Sequence, residues 1–494
     1  MTDLKWDKDR LYQLVREKLG SYLFLVVSNR EPYIHTISGD EIKCHRPVSG
    51  LTEALDPVMR ASGGSWIAYG SGNADKKVVD THDRVAVPPE HPEYTLRRVW
   101  LTEDEVAGFY RGFANEALWP LCHVAFTPPI YRKSDWNTYK KVNQIFAEVV
   151  LQEVADRKAV VYLQDYHFAL LPRLIKERKP HLTVGQFWHI PWPNHEIFRT
   201  CPWREEILDG LLGNDLLGFH IPSFGNNFLD SVKYNLKGKI DRDKLTATYQ
   251  GRDTLVESFP ISVDFDSLSQ EAGTEEVERE ITRLRSELSL EGKYVGVGMD
   301  RIDYTKGIPE RLQALDKFLE DSPAYRGKVV FIQAGMPSRT RIESYQNLNQ
   351  RIDVIASSIN GKYGTNSWKP VIMMTRQLPP VTLIALRRLA NFCVVSSLHD
   401  GMNLVAKEFV SSRVDGDGVL ILSQFTGAAV ELVGALLINP YDISEFAKKI
   451  KEAIEMSEEE RRRRIKTMRE VVASKNIYSW GADTVSRLIS MAGV

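Results

Sequence analysis

The sequence predicts an α/β protein that consists of two parallel-sheet domains. With 494 residues, the chain is too long for one ordinary hydrophobic core. Its second half contains two strand-turn-helix segments with a glycine in the turn, 295–310 and 392–414. Short apolar runs in the first half, at 22–27, 159–163 and 182–188, have the composition of buried strands. Such runs separated by helical patterns are typical of parallel sheets whose faces are covered by helices.

The composition changes near the middle of the chain. A strand predicted over 255–262 is followed by an acidic, serine- and glycine-containing stretch over 264–275. We therefore predict a first domain over 1–263 and a second over 264–494. The elements expected in the second domain are a helix over 275–288, strands over 294–298, 329–333, 371–374 and 392–395, and helices starting at 309 and 404.

Composition excludes several classes of protein. Hydrophobic residues make up 43% and charged residues 26%, and the formal net charge is -1, which gives no electrostatic footprint for nucleic acid or an anionic membrane. The first twenty residues are charged and lack the apolar core of a signal peptide, so we expect a cytoplasmic protein. The four cysteines form no CxxC pair and the eleven histidines are scattered, so we expect no metal site.

One strand-turn-helix segment has the features of an anion site. Gly401 allows close approach of a ligand, and the N–H groups of a helix starting near Leu404 favour a phosphate. Asp400 at the turn and Glu408, placed about two turns into the helix, could hold sugar hydroxyls and a ribose. The alternative is that Asp400 only caps the helix and Glu408 is a solvated surface residue.

The other segment places two cations beside its turn. Arg301 and Lys306 flank a glycine-containing turn that leads into a helix beginning near Pro309. Two cations at such a turn suit a diphosphate that no metal neutralises, since arginine binds as a fork and lysine as a point charge. Surface ion pairing is the alternative.

Several motifs occur together in a recognisable order. They are 26–30 (VVSNR), 118–120 (LWP), 164–167 (QDYH), 189–193 (HIPWP), 217–220 (LGFH), 301–307 (RIDYTKG), 359–364 (INGKYG), 400–408 (DGMNLVAKE) and 422–425 (LSQF). The Asp400–Glu408 spacing resembles the acidic pair of retaining glycosyltransferases with the GT-B fold. The whole set resembles the trehalose-6-phosphate synthase family, retaining glycosyltransferase family 20, along nearly the entire chain.

The resemblance implies a fold and a reaction. The fold would be GT-B, two Rossmann-like doubly wound domains with the active site in the cleft between them, and a last helix at about 477–494 that packs back on the first domain. The reaction would move glucose from a nucleoside-diphosphate glucose, most simply UDP-glucose, to glucose 6-phosphate with retention, giving α,α-trehalose 6-phosphate. No cofactor, metal, nucleic acid or membrane would be involved, and a homo-oligomer is left open.

The resemblance also assigns residues to roles. Those implied to be catalytic are Asp165, His189, Arg301 and Lys306. Those implied to bind the donor are Gly50, Leu51, Arg301, Lys306, Leu378, Asp400, Gly401, Met402, Asn403, Leu404, Val405 and Glu408. Those implied to bind the acceptor are Arg30, Tyr110, Trp119, Asp165 and Arg339. Three positions depart from the family's pattern: Ser49 stands where glycine is common, Tyr69 where tryptophan is usual, and His399 where arginine is common.

Other functions remain open at this level. A glucosylglycerol-phosphate synthase, with glycerol 3-phosphate as acceptor, shares segments such as 30–33 (REPY) and 202–205 (PWRE). A non-catalytic sugar-phosphate sensor on the same fold is a second alternative, although Arg301, Lys306, Asp400 and Glu408 are all present. A GT-B epimerase would lack the acceptor residues, and a phosphorylase needs a pyridoxal-phosphate lysine that the sequence does not reveal.

Overall fold

The computed structural model describes residues 5–47, 50–336, 338–339 and 341–493. Ser49, one of the three departures from the family's pattern, lies outside the described residues. The chain divides into two compact units. Unit 1 comprises residues 1–261 and 477–494, and unit 2 comprises residues 262–476.

Unit 1 is organised around a ten-stranded sheet with the order β10-β11-β12-β9-β8-β7-β1-β4-β6-β5. Its strands are β1 Leu23–Ser28, β4 Ser65–Tyr69, β5 Arg84–Val87, β6 Tyr94–Val99, β7 Ala159–Gln164, β8 Thr183–Phe187, β9 Leu216–Phe219, β10 Lys239–Asp241, β11 Thr246–Tyr249 and β12 Arg252–Ser258. Neighbours pair in parallel except at β5/β6, β10/β11 and β11/β12. A separate hairpin pairs β2 Ile34–Ser38 with β3 Glu41–His45.

Helices join the strands of unit 1. They are α1 Lys8–Leu19, α2 Gly50–Ser62, α3 Asp75–Val78, α4 Glu103–Val106, α5 Trp119–His123, α6 Lys133–Val154, α7 Leu171–Arg178, α8 His195–Phe198, α9 Arg204–Leu211 and α10 Pro222–Leu236. Between α4 and α5, Ala107–Leu118 forms a π-helix. A short 3₁₀ turn, Tyr166–Phe168, follows β7.

Unit 2 contains a six-stranded, all-parallel sheet with the order β15-β14-β13-β16-β17-β18. Its strands are β13 Tyr294–Met299, β14 Val329–Ala334, β15 Val371–Met374, β16 Phe392–Val395, β17 Val419–Ser423 and β18 Leu436–Ile438. Its helices are α11 Phe265–Ala272, α12 Glu275–Glu287, α13 Ile308–Asp321, α14 Glu343–Tyr363, α15 Pro380–Leu389, α16 Leu404–Ser412, α17 Ala428–Glu431, α18 Ile443–Glu455 and α19 Glu458–Ser474. Two 3₁₀ turns, Tyr304–Lys306 and Pro323–Tyr325, complete it.

Both sheets have the strand order of a Rossmann fold. Numbered along the chain, the strands of unit 2 follow the order 3-2-1-4-5-6, and the parallel strands β6-β4-β1-β7-β8-β9 of unit 1 do the same. The order reverses between β13 and β16 in unit 2, and between β1 and β7 in unit 1. Ligands of such folds bind outside the carboxyl ends of the strands at this reversal, the switch point.

The helix α20, Ile477–Met491, belongs to unit 1 although it follows unit 2 in the chain. It packs against α1, α2 and β8. A side chain at Gly185 of β8 would place its Cβ 2.2 Å from a methyl carbon of Leu488, so the absence of a side chain lets the helix lie on the strand. The ring of Trp480 contacts that of Phe187 with centroids 5.4 Å apart.

Within the part of the chain that the structure describes, no helix is both long and apolar enough to cross a membrane.

Candidate active site

The switch point of unit 2 brings Lys306 and Asp400 together. Lys306 ends the 3₁₀ turn that follows β13, and Asp400 lies in the loop after β16. The Nζ of Lys306 is 2.5 Å from Oδ2 of Asp400. The hydroxyl of Ser397 and the amide of Asn403 also donate to this oxygen, at 3.2 and 3.1 Å. The carboxylate therefore fixes the position of the ammonium group at the end of the sheet.

Gly307 makes the contact of these two loops possible. Its φ is +62°, and a Cβ at this position would lie 2.2 Å from the carbonyl oxygen of Ser396. The positive φ is costly for a residue with a Cβ, and the space for one is taken by backbone. The hydroxyl of Ser396 donates to the carbonyl of Gly307 at 2.9 Å, which closes the approach.

The helix α16 begins beside Asp400. Asn403 is its N-cap, with φ at +81°, and its side chain accepts from the N–H of Ala406 at 3.2 Å. The alternative that Asp400 caps the helix is therefore wrong. Glu408 is the fifth residue of α16, just over one turn into the helix. The prediction that it lies about two turns into the helix is therefore also wrong, because the spacing of the two carboxylates includes residues 401–403, which precede the helix.

The first turn of α16 keeps the predicted character of an anion site. Gly401, Met402 and Asn403 are buried, whereas Leu404 and Val405 are half-buried. N–H groups in the first turn of a helix have no partner within the helix, and the positive end of its dipole lies there. The residues predicted to meet the donor phosphates thus lie together at the end of β16.

Glu408 is not a solvated residue. Its carboxylate forms an ion pair with the guanidinium of Arg387 on α15, and 28% of its side chain is exposed. Arg387 is itself buried. This partner fixes the orientation of the carboxylate that was predicted to hold a ribose, and the sequence did not indicate it.

Asp303, which was not among the predicted site residues, interacts with three of the predicted cations of unit 2. This buried carboxylate contacts Nη1 of Arg339 at 3.2 Å and the hydroxyl of Tyr345 at 3.1 Å. Burial alone would raise the pKa of Asp303, but Arg339, Arg301 and Lys306 lower it below its usual value. Three residues predicted to bind phosphates therefore share one buried anion. The sequence feature that could have indicated this residue is its position, as an acidic residue between Arg301 and Lys306.

The remaining residues predicted to bind the donor make no direct contact with Lys306 or Asp400 among the contacts given above. Arg301 is exposed, as expected of a cation available to a ligand. Leu378 is half-buried in the segment between β15 and α15. In unit 1, Gly50 starts α2 and Leu51 is half-buried in its first turn. His399 is half-buried directly before Asp400.

Asp165 occupies the switch point of unit 1, directly after β7. Its φ is +73°, which is uncommon for a residue with a side chain. Three hydrogen bonds hold this conformation. The backbone N–H of Asp165 donates to the carbonyl of Phe187 at 2.7 Å. Its Oδ1 accepts from the N–H groups of Tyr166 and His189, at 2.9 and 3.3 Å. Such an outlier at the end of a strand supports a functional role for Asp165.

His189 follows β8 as predicted and is held on two sides. Its Nε2 lies 3.0 Å from the amide oxygen of Gln164, and its carbonyl lies 3.1 Å from Nε2 of His220. Burial, followed by the positive charge that His220 and His167 can carry, lowers the pKa of His189 well below its usual value. The imidazole is therefore neutral near pH 7 and donates from Nε2 to Gln164.

The predicted aromatic residues Tyr110 and Trp119 contact the two residues that follow Asp165. The ring of Tyr110 stacks on His167 with centroids 5.7 Å apart, and Trp119 contacts Tyr166 at 5.9 Å. Asn115 connects them, since it donates to the carbonyl of Tyr110 at 2.7 Å and accepts from the hydroxyl of Tyr166 at 3.0 Å. Trp119 is mostly buried and Tyr110 is half-buried.

The segment that carries Tyr110 is the π-helix 107–118. This conformation is rare and is frequently found at functional sites. No sequence pattern indicated it, because its apolar residues also fit an ordinary helix.

Arg30 is exposed at the end of β1, beside the strand that delivers Asp165. The hydroxyl of Ser28 donates to the carbonyl of Arg30 at 2.5 Å and accepts from Nε1 of Trp66 at 2.7 Å. The backbone of the predicted phosphate-binding arginine is thus anchored while its side chain reaches solvent.

No cluster of three or more His, Cys, Asp or Glu side chains with the geometry of a metal site occurs among the residues that the structure describes.

Comparison with known proteins identifies the family to which this chain belongs. The model of glycosyltransferase family 20 matches residues 22–490. A trehalose-6-phosphate synthase of Mycobacterium bovis is 38% identical over 480 residues, 96% of this chain and 95% of the relative. A structure of the Escherichia coli enzyme bound with UDP-2-fluoro glucose has a TM-score of 0.85 at 30% identity, covering 94% of this chain and 98% of that one. A UDP-forming α,α-trehalose-phosphate synthase of Burkholderia xenovorans, in complex with glucose-6-phosphate, has a TM-score of 0.83 at 29% identity and covers 94% and 99%.

These findings confirm the predicted family and the predicted α/β fold of the GT-B type, with its two Rossmann-like sheets. The chain belongs to glycosyltransferase family 20.

Proposed function

We propose that this protein transfers glucose from a nucleoside-diphosphate glucose to glucose 6-phosphate with retention of configuration, forming α,α-trehalose 6-phosphate. The observation that carries the proposal is the full-length likeness to trehalose-6-phosphate synthases, at 38% identity over 96% of the chain. The structures of relatives that hold a UDP-glucose analogue or glucose 6-phosphate support both substrates.

The donor is bound by residues of unit 2. Its diphosphate meets the first turn of α16 together with Arg301 and Lys306, while Asp400 and Glu408 accept hydrogen bonds from hydroxyl groups of the sugar and the ribose. The Lys306–Asp400 contact of 2.5 Å supports this role, since the cation is oriented before the ligand arrives. Stabilising the departing diphosphate is the main electrostatic task of this site.

The acceptor is positioned chiefly by residues of unit 1. Arg30 binds the phosphate of glucose 6-phosphate, and Asp165, Tyr110 and Trp119 orient the sugar. The strained backbone of Asp165 supports a positioning role. Arg339 of unit 2 is assigned to the same phosphate. Its contact with Asp303, at 3.2 Å from Nη1, supports this role because it holds the guanidinium in one orientation.

Chemistry proceeds on one face of the donor sugar. The acceptor oxygen forms a bond with C1 as the bond from C1 to the diphosphate oxygen breaks, and the leaving phosphate takes the acceptor's proton. Neither Asp165 nor Asp400 serves as a covalent nucleophile. Neutral His189 suits this scheme because it adds no charge beside the donor sugar. Its single N–H is donated to Gln164, so Nδ1 can act only as an acceptor.

We propose that the reaction needs no metal. Arg301, Lys306 and the helix N-terminus supply positive charge for the diphosphate. Activity is then expected to be the same after treatment with EDTA as after addition of Mg²⁺, and a loss that Mg²⁺ restores would contradict the proposal.

The test supplies UDP-, GDP- or ADP-glucose with glucose 6-phosphate or glycerol 3-phosphate, and identifies the product by NMR. An α,α-1,1-linked disaccharide phosphate supports the proposal and identifies the donor base. Turnover with glycerol 3-phosphate alone would mean that the protein is a glucosylglycerol-phosphate synthase. Tight binding without turnover of either acceptor would favour a sensor.

A further inference from the structure

A buried charged network lies next to Arg30 in unit 1. It joins Glu31, Asp75 and Arg98, whose side chains are all fully buried. Nε of Arg98 is 2.9 Å from Oε2 of Glu31, and Nη2 of Arg98 is 2.9 Å from Oδ1 of Asp75. Nη2 also lies 2.8 Å from Nδ1 of His35.

The network carries an excess of negative charge. Since Nδ1 of His35 accepts from Arg98, the imidazole holds no proton there and is neutral. Burial, followed by the charge of Arg98, lowers the pKa of His35, in agreement with this. One guanidinium then faces two buried carboxylates, and an uncompensated buried charge is costly. One proton shared by Glu31 and Asp75 removes the excess.

The pKa of Glu31 is consistent with a bound proton. Burial and a hydrogen bond with Asp75 raise it to about 7, against the lowering effect of Ser71 and Arg98. The proton is therefore held up to neutral pH and released above it.

The network holds the backbone that follows Arg30. Glu31 accepts from the N–H of Ser71 at 2.8 Å and from its hydroxyl at 3.0 Å, which ties the residue after Arg30 to the loop that follows β4. Asp75 holds the same loop through the N–H of Gly72 at 2.6 Å, and holds β2 through the N–H of His35 at 2.8 Å. Ser28 holds the carbonyl of Arg30 itself.

We propose that Glu31 is a positioning residue for Arg30, which it holds in place for the acceptor's phosphate only while the Glu31–Asp75 pair carries one proton. The inference rests on the proposed function for the role of Arg30. Loss of the proton leaves two buried carboxylates on one guanidinium, and the connection between β1 and β2 loosens.

The other titratable groups near the network do not replace this proton. Cys44 on β3 and Tyr69 on β4 face it, and burial raises the pKa of both groups, so both are neutral near pH 7. His45 on β3 is exposed and acts on His35 from outside the network. Glu103 and Arg111 act on Tyr69 with opposite charges.

The kinetic test measures KM and kcat for glucose 6-phosphate between pH 6.5 and 8. A pKa of about 7 predicts a rise in the parent's KM of up to about eightfold over this range, with kcat and the donor KM changing much less. Glu31→Gln introduces an amide that can still accept from Ser71 and donate to Asp75 but cannot ionise, so its KM is expected to stay level. The substrate phosphate, with a second pKa near 6, affects both proteins equally. Glu41→Gln, at an exposed position of β3, is the control and should follow the parent.

A second measurement does not depend on turnover. The folded state holds the proton up to about pH 7, whereas the unfolded chain releases it near pH 4.5, so the parent loses stability as the pH rises through this window. The Tm of Glu31→Gln minus that of the parent should therefore increase from pH 5 to 7 and level off above. If Glu31→Gln does not fold, Asp75→Asn, which removes the same excess charge, replaces it in this comparison.

The outcomes separate the two proposals. If the Tm difference between Glu31→Gln and the parent does not change with pH, the network holds no such proton, whatever reaction the protein catalyses. A rising Tm difference together with a parallel rise of KM in both proteins would overturn the positioning role. No turnover of glucose 6-phosphate by the parent would reject the proposed function, and with it the role of Glu31 towards Arg30.

Discussion

The ammonium group of Lys306 lies 2.5 Å from Oδ2 of Asp400, although 94 positions separate the two residues in the chain. The contact forms because β13 and β16 are neighbours at the switch point of unit 2. It joins the two loops that were predicted separately, from their glycines and charges, to bind a diphosphate.

Replacing Lys306 should affect catalysis more than binding. Lys306→Gln removes a charge aimed at the departing diphosphate, so kcat is expected to fall by roughly 10²- to 10³-fold, as for loss of one transition-state donor. Release of nucleoside diphosphate measures it. Lys317→Gln is the control, since that lysine pairs with Asp321 at 2.9 Å on the exposed face of α13 and should keep the parental kcat. A Lys306→Gln enzyme with parental kcat and raised KM would reject the role.

Gly307→Ala should destabilise the protein by more than its backbone conformation alone explains. Gly327 supplies the comparison, because its φ is +79° but no atom lies within 4 Å of the position of its Cβ. We expect Gly327→Ala to cost about 1 kcal/mol of unfolding free energy from the left-handed conformation. Gly307→Ala adds the clash with Ser396 and should cost at least about 2 kcal/mol more. Denaturation in urea measures both, and equal costs would mean that the two loops separate freely.

Asp303→Asn should destabilise unit 2 and weaken binding of the donor's diphosphate and of the acceptor's phosphate. Denaturation in urea measures the first effect, and the KM values of the two substrates measure the second. It leaves the buried guanidinium of Arg339 without its anion, and breaking a buried pair costs about 3 kcal/mol or more. Because the pKa of Asp303 is lowered in the folded state, its stabilising contribution is present above its usual value and is lost as the pH falls below it. The loss of stability below about pH 4 should therefore be smaller in the variant than in the parent. Asp353→Asn, an exposed residue of α14, is the control.

His189 should make the protein sensitive to acid. Its pKa is lowered in the folded state, so the unfolded chain takes up a proton that the folded state excludes, and stability falls as the pH drops below about 6.5. In His189→Gln, whose amide can still donate to Gln164, this loss is absent. The Tm of the variant relative to the parent should therefore rise from pH 7 to pH 5.5. His181→Gln, at an exposed position, should show no such trend, and its absence in His189→Gln would mean that His189 ionises freely.

Local patterns predicted the scaffold well. The strands 371–374 and 392–395 have the predicted bounds, because each is a short apolar run between residues that end strands. The strand expected at 255–262 lies at 252–258 instead, since its charged residues pair with β9 and β11 although they are not apolar. The helix expected to reach 414 ends at Ser412.

The partners of the predicted residues could not be read from the sequence. Arg387 with Glu408 and Arg98 with Glu31 are 21 and 67 positions apart, and no spacing rule joins them. Their pairing follows from strand order, which only the folded sheet defines. The alternative that Asp400 caps α16 could not be rejected from the sequence, because Asp400 and Asn403 are both good capping residues. The hydrogen bond from the N–H of Ala406 to the side chain of Asn403 decides between them.

The place of α20 has a consequence for the order in which the molecule forms. On the ribosome, residues 262–476 are synthesised before the helix that covers β8, so unit 2 can bury its own core while Phe187 and Gly185 still lack the contacts of Trp480 and Leu488. Unit 1, although its synthesis begins first, therefore acquires its final stability last. Because α20 is the last element to leave the ribosome, the sheet of unit 2 can be complete while β8 of unit 1 is still uncovered.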